Sequence, residues 1–433
     1  MLKVLSNRTY RHLFLAQVIA LLGTGLATVA LGLQAYELDA GSAGAVLGTA
    51  LAIKMIAYVT VAPIATALTE QMPRRTMLVG LDIVRAAVAL CLPFLTSVWQ
   101  AYLLIFVLQA ASAAFTPTFQ ATIPDVLADE DDYTHALSLS RLAYDLEKVV
   151  SPLLAAALLT LTSYHNLYLG TVVGFLASAA LVTTILLPDP KSMQQRSFYE
   201  RTTRGLRLYL TVQQLKGLLA LNFAIAAGGS MVFVNTVVLV QTVYGRGERF
   251  TAIALAAFGL GSMVAALLIP RLLRFIPDRP VMLSGTVLLA GALLAGLLIP
   301  SYWALVALWA MIGIGYSLVL TPSGRILRRS GMPEDRPALF AAQFALSHAC
   351  WMITYPLAGW MGATIGLSAT YILLATITAL ASLTAARLWP SAEENDSHIH
   401  FDLDADHPHI AGATAFGGGY RHSHAIIKDI HHP

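Results

Sequence analysis

Charge is scarce in this sequence. Only 12% of its 433 residues are Asp, Glu, Lys or Arg, about half of what soluble domains carry. That shortage excludes a fold built around a water-exposed surface, and with it the extended basic face that nucleic-acid binding requires. Cysteine is rarer still. Cys91 and Cys350 are the only two, both inside apolar runs, so no disulfide framework is expected. Also missing are a nucleotide-cradling glycine loop and any nucleophile–base constellation, which removes the obvious enzyme classes.

What is abundant is apolar sequence: 57% of residues are hydrophobic and the mean hydropathy is +0.68. Apolar stretches centre near residues 25, 56, 86, 112, 150, 177, 229, 262, 290, 313, 350 and 376. Each is about 20 residues or more, the length a membrane helix needs. The first, Leu13 to Tyr36, is too long for a signal-peptide core and is read as a retained span.

Basic residues set the orientation. With the N-terminus inside, cytoplasmic segments hold Lys3, Arg8, Arg11, Arg74, Arg75, the basic residues between Lys191 and Lys216, Arg271, Arg274, Arg279, Arg325, Arg328, Arg329, Arg336, Arg387, Arg421 and Lys428. The opposite side receives only Arg246 and Arg249. Both ends are therefore expected in the cytoplasm. The long polar stretch after Pro188 divides the spans six and six. The expected organisation is a first bundle over 1–187, a central loop over 188–214, a second bundle over 215–388 and a tail over 389–433. Weak internal symmetry agrees: "TPTFQATIPDVLADEDD" leads to "SPLLAA" at Ser151, and "TPSGRILRRSGMPEDR" leads to "YPLAGW" at Tyr355. Two parallel six-helix repeats leave this kind of trace.

Ionisable groups inside spans are costly and mark function by default. The fifth span holds the densest set. At 100° per residue Arg141, Asp145 and Lys148 share a face, with Glu147 about 100° away. They read either as a self-neutralising brace or as a proton or ion site. Asp82 and Arg85 form an i,i+3 pair in the third span, for which bracing is the better reading. Lys54 in the second span has no local partner, so Asp82, Asp145 or Glu147 is expected to face it. His348 stands alone in the last four spans; it reads as hydrogen-bonded structure, or as part of a proton or metal route if it faces a cavity. Asn222 and Asn235 rank lower. The acidic segment Pro124–Tyr133 reads as a solvated turn, with a cation-collecting mouth as the sharper alternative.

The tail carries His398, His400, His407, His409, His422, His424, His431 and His432, with Asp402, Asp404 and Asp406 between the first two pairs. Imidazoles mixed with carboxylates suit borderline divalent metals, and their affinity rises with pH as the imidazoles deprotonate. The spacings do not separate nickel from cobalt, zinc or copper.

Twelve spans split six and six with a basic central loop resemble the major facilitator superfamily. Its loop after the second span usually reads Gly-x-Leu-Ala-Asp-Arg-x-Gly-Arg-Arg. Here TALTEQMPRR keeps Leu68, Arg74 and Arg75, while Glu70 replaces the Asp, Gln71 the Arg and Pro73 the Gly. A gating role for Glu70, Arg74 and Arg75 is implied by that resemblance. Asp82-x-x-Arg85, "IPDVLADEDDYTHALSLSRLAYDLEKVVSP" and the tail ending "YRHSHAIIKDIHHP" resemble, within the superfamily, the NreB-type nickel-resistance exporters. The resemblance implies an all-α polytopic protein of the bacterial inner membrane with the major facilitator fold. It further implies a proton-linked antiporter exporting nickel or cobalt. No cofactor is required on this reading; the divalent ion is substrate and tail ligand. The partners expected are lipid, protons and a small ion or molecule, with the chain monomeric. The alternative is proton-linked export of an organic molecule, such as a siderophore or drug, with the tail regulatory.

Overall fold

The computed structural model describes residues 2–38, 43–69, 72–188, 198–246, 248–298 and 301–389, and beyond them the backbone of 395–400, 414–416 and 419–425. The first half consists of α1 (Arg8–Leu38), α2 (Ala43–Thr69), α3 (Arg74–Cys91), α4 (Val98–Val126), α5 (Glu130–Leu159) and α6 (Leu167–Thr183). A shorter helix, α7 (Phe198–Thr211), lies in the central connection. The second half consists of α8 (Gln213–Val237), α9 (Glu248–Leu272), α10 (Asp278–Ala295), α11 (Tyr302–Leu320), α12 (Ser323–Arg329), α13 (Arg336–Thr364) and α14 (Leu367–Leu388). Leaving aside the short α7 and α12, these are the twelve expected spans. Among the described residues nine helices are long and apolar enough to cross a membrane.

Local chemistry explains where the helices begin and end. Asp129 caps α5 by accepting from the Asp132 N–H at 2.9 Å, and Glu130, Asp131 and Asp132 fill the first turn, where the helix dipole favours negative charge. Pro322 stands between α11 and α12, as the N-cap residue of α12. Gly366, at φ +109°, turns the chain from α13 into α14, a conformation only glycine adopts without strain.

Small residues bring the helices together. A Cβ on Gly261 would lie 2.0 Å from the Ala310 carbonyl oxygen, and one on Gly313 2.0 Å from that of Phe258, so α9 and α11 pack backbone to backbone. In the first half Thr171 on α6 donates to the Gly23 carbonyl on α1 at 2.7 Å. The two halves meet along two seams, α5 against α9 and α2 against α13. The end of the bundle that carries α7 is the central-loop end.

Arg279 closes α14, donating to the carbonyls of Trp389 (2.8 Å) and Ala386 (2.9 Å). Past this point the backbone forms three short strands, β1 (Asn395–His400), β2 (Thr414–Phe416) and β3 (Gly419–Ala425), in an antiparallel sheet of order β1-β3-β2. The tail thus has paired segments. His398 lies opposite His422 and Asp396 opposite His424.

Candidate functional site

Arg141 and Asp145, one turn apart on α5, pair as their spacing predicts. Asp145 is fully buried and Arg141 nearly so. The Arg141 Nε hydrogen is shared between Asp145 Oδ2 (2.9 Å) and Ser262 Oγ on α9 (3.0 Å), and the guanidinium lies 4.9 Å from the centre of the Tyr316 ring on α11. The pair is therefore not merely a brace within α5: it reaches across the seam into the second half. Glu147 faces elsewhere, toward Ser151 and α1 at Gly25. The side chain of Lys148 lies outside the described residues.

Asp82 and Arg85 form the expected pair. Asp82 also accepts from Ser178 on α6 at 2.7 Å, and Arg85 sits between the rings of Phe115 (3.9 Å) and Phe175 (4.5 Å). Every one of these partners belongs to the first half, so this pair ties α3 to α4 and α6. The bracing reading fits it.

Lys54 corrects an expectation. None of the three carboxylates proposed for it pairs with it among the described residues. Its ammonium stands 5.5 Å from the Tyr58 ring centre, an aromatic face in place of a carboxylate. Tyr58 packs against Phe344 and edge-on to His348 of α13, and its hydroxyl donates to Gln109 on α4 at 3.0 Å. His348 Nδ1 lies 2.7 Å from the Phe344 carbonyl, which leaves Nε2 as the acceptor of the neutral ring. Lys54 and His348, far apart in sequence, thus both flank Tyr58 at the α2–α13 seam. Asn222 and Asn235 donate to the carbonyls of Leu218 (2.8 Å) and Ala358 (3.2 Å), a packing role.

Beside the α5–α9 seam, the second half gathers five aromatic rings. Phe233 contacts Phe258 and Trp351, Tyr316 contacts Phe258 and Trp351, and Tyr355 contacts Trp351, with centroid separations of 4.9 to 6.3 Å.

The central-loop end is closed by charge. Asp125, near the end of α4, accepts from Arg74 (2.5 Å) and from Arg336 of the second half (2.6 Å). Glu130 binds Arg325 (3.0 Å) and Arg329 (2.5 Å), which also hold Asp278, each at 3.0 Å. Tyr133 donates to the Gly324 carbonyl at 3.2 Å, Arg325 to Thr134 and Arg328 to the Ala128 carbonyl. The acidic segment is thus a solvated turn only in part. Asp129 and Asp131 are exposed, but Asp125 and Glu130 are taken up by arginines of the opposite half. Of the residues implied in gating, Arg74 belongs to this network through Asp125. Arg75 donates instead to the Thr183 carbonyl at the end of α6. Glu70 lies outside the described residues.

Of the tail histidines, His398, His400, His422 and His424 fall on described strands; His407, His409, His431 and His432 lie outside the described residues. Sequence reading missed Ser262, Tyr316, Tyr58, Gln109 and Asp278. The first four carry no charge to draw attention within a span. The rim carried a readable signal, acidic and basic strings at matching places in the two repeats.

The chain is similar to known proteins. An uncharacterized MFS-type transporter, YfiS of Bacillus subtilis, is 23% identical over 342 residues, covering 75% of this chain and 79% of that protein. Macrolide efflux protein A of Streptococcus pyogenes is 23% identical over 194 residues, 43% of this chain and 47% of that one. Two solved structures share the fold. The human organic anion transporter MFSD10 (TETRAN) has a TM-score of 0.75 at 12% identity, covering 87% of this chain and 99% of its own. A bacterial homologue of the iron transporter ferroportin, in an outward-facing state, has a TM-score of 0.73 at 14% identity, covering 88% and 99%. The Major Facilitator Superfamily profile matches residues 13–274 and again 218–404. With two six-helix halves and a charged closure at one end between them, the chain belongs to the Major Facilitator Superfamily of membrane transporters.

Proposed function

We propose that this transporter exports a divalent transition-metal ion, nickel or cobalt, in exchange for protons. On this reading it works as a monomer in a bacterial inner membrane, with the central-loop end in the cytoplasm. The observation that carries the coupling step is Arg141 holding Asp145 and Ser262 at once. A proton arriving on Asp145 removes the charge that fixes Arg141, and the same guanidinium anchors the second half. Protonation and the relative position of the halves are then linked, as alternating access requires. Lys54 and His348, at the other seam, are positioned to sense the same movement. Support for a metal cargo comes from the strand register that sets His398 opposite His422, and from the likeness to the ferroportin homologue.

A second reading, export of an organic molecule with the tail regulatory, rests on the aromatic group around Trp351. It is also consistent with the lack, among the described residues, of any group of three or more His, Cys, Asp or Glu able to hold a metal. Everted vesicles under an imposed pH gradient separate the two. Nickel or cobalt uptake that collapses in Asp145→Asn is the expected result. Uptake of an organic dye with no metal uptake defeats the metal reading, and full metal uptake in Asp145→Asn removes that residue from coupling. A chain ending at Trp389 is expected to keep transport with weaker capture at low metal concentration.

A further inference from the structure

Helix α7 is fixed to α13 in three ways. A Cβ on Gly205 would lie 2.1 Å from the Ala338 carbonyl oxygen, Arg204 Nε meets Asp335 at 2.5 Å, and the Tyr209 hydroxyl donates to Gln343. Against α2 the fit is looser. Between α2, α7 and α13 lies a cavity of about 380 Å³ lined by no ionisable residue. Its α13 wall is a run of alanines, Ala338, Ala341, Ala342, Ala345 and Ala349, with Leu346 beside them, on one helical face. Pro63 of α2 and Leu206 of α7 face that stripe.

The rest of α7 says what lies beside the cavity. Tyr199, Leu206 and Leu210 fall within about 40° of one another around the helix, and are 68%, 39% and 45% exposed. An apolar helix face left uncovered at the end of a membrane bundle lies in the lipid interface. Ile64, another lining residue, is 41% exposed, so the cavity opens toward the same lipid. Arg207, next in sequence to the lining residue Leu206, lies 5.3 Å from the centre of the Tyr199 ring and forms no ion pair among the described residues. A free cation beside an apolar slot matches an anionic headgroup above an acyl chain.

We propose that this crevice binds one anionic phospholipid from the leaflet at the central-loop end, its acyl chain along the alanine stripe and its phosphate at Arg207. α2 and α13 belong to different halves, so the chain fills a gap that exists only while this seam is closed. The lipid therefore stabilises the closed rim. Binding itself requires only the membrane placement of the bundle; the effect on closure rests on the exporter reading.

The test uses the purified full-length chain and native mass spectrometry with phosphatidylglycerol or with phosphatidylcholine of the same acyl chains. Wild type is expected to retain phosphatidylglycerol at least fivefold better, with no displacement by inorganic phosphate. Ala345→Phe, which fills the slot, is expected to lose both lipids, and Arg207→Gln only the preference. A well-folded Ala345→Phe that retains phosphatidylglycerol like wild type overturns the proposal, as does displacement by inorganic phosphate. Should Ala345→Phe fail to fold, photoreactive acyl chains on wild type decide. Label concentrated on α2, α7 and α13 supports the crevice, and label spread evenly over the lipid-facing helices refutes it. Lipid binding with no change in metal or dye uptake on lipid depletion would leave the site standing and remove its link to closure.

Discussion

The stretch from the end of α4 into α5 and the stretch from α12 into α13 hold corresponding places in the two halves. The first presents Asp125, Glu130 and Asp131; the second presents Arg325, Arg328, Arg329 and Arg336, alongside Glu334 and Asp335. Their backbones differ too. α4 runs unbroken through Pro117 and Pro124, while its counterpart breaks at Pro322 into α11 and α12. Two repeats that kept a common plan have diverged into complementary partners. The divergence lies in charge and in one helix break, at the place where the halves touch, while the helix count is shared.

The strongest way to break that comparison is to make both connections basic. Asp125→Arg is expected to hold the rim open and reduce transport more than tenfold, since Arg74 and Arg336 would then face a third cation. Adding Arg336→Asp is expected to recover part of the loss, read by spin-label distances across the seam and by vesicle uptake. Removing charge alone costs less. Asp125→Asn leaves two largely buried arginines uncompensated, a loss of about 2–3 kcal/mol in closure. Glu130→Gln is milder, about 0.5–1 kcal/mol, because Glu130 is 42% exposed and water screens its pairs. The smallest effect belongs to Arg274→Gln. Arg274 and Asp131 are 3.6 Å apart with both side chains more than half exposed, so a change within about 0.3 kcal/mol is expected. Seam distances that respond equally to all these variants would show that the rim is no graded network.

Much of this was legible beforehand. Twelve spans follow from apolar length, and the Arg141–Asp145 and Asp82–Arg85 pairs follow from helical spacing, because both are local properties of one helix. The partners that give those pairs different meanings are not local. Ser262 lies 121 residues from Arg141 and looks like any other serine in a span. Lys54 misled for a related reason: a half-buried cation in a span calls for compensation, but an aromatic ring supplies it as a carboxylate does, and no spacing rule distinguishes the two. The acidic and basic connections were visible as strings, yet their meeting depends on how the two repeats face each other. Periodicity along one chain does not encode that.

The rim has a consequence for assembly. In its described ion pairs across the seam every carboxylate comes from the first half and every guanidinium from the second. A first half meeting the first half of another copy would set Asp125 and Glu130 against their own kind, and two second halves would do the same with arginines. Each half thus rejects its duplicate and accepts its complement. Where two similar bundles emerge into the same bilayer, the sign of the charge at one end tells each bundle which neighbour is its mate.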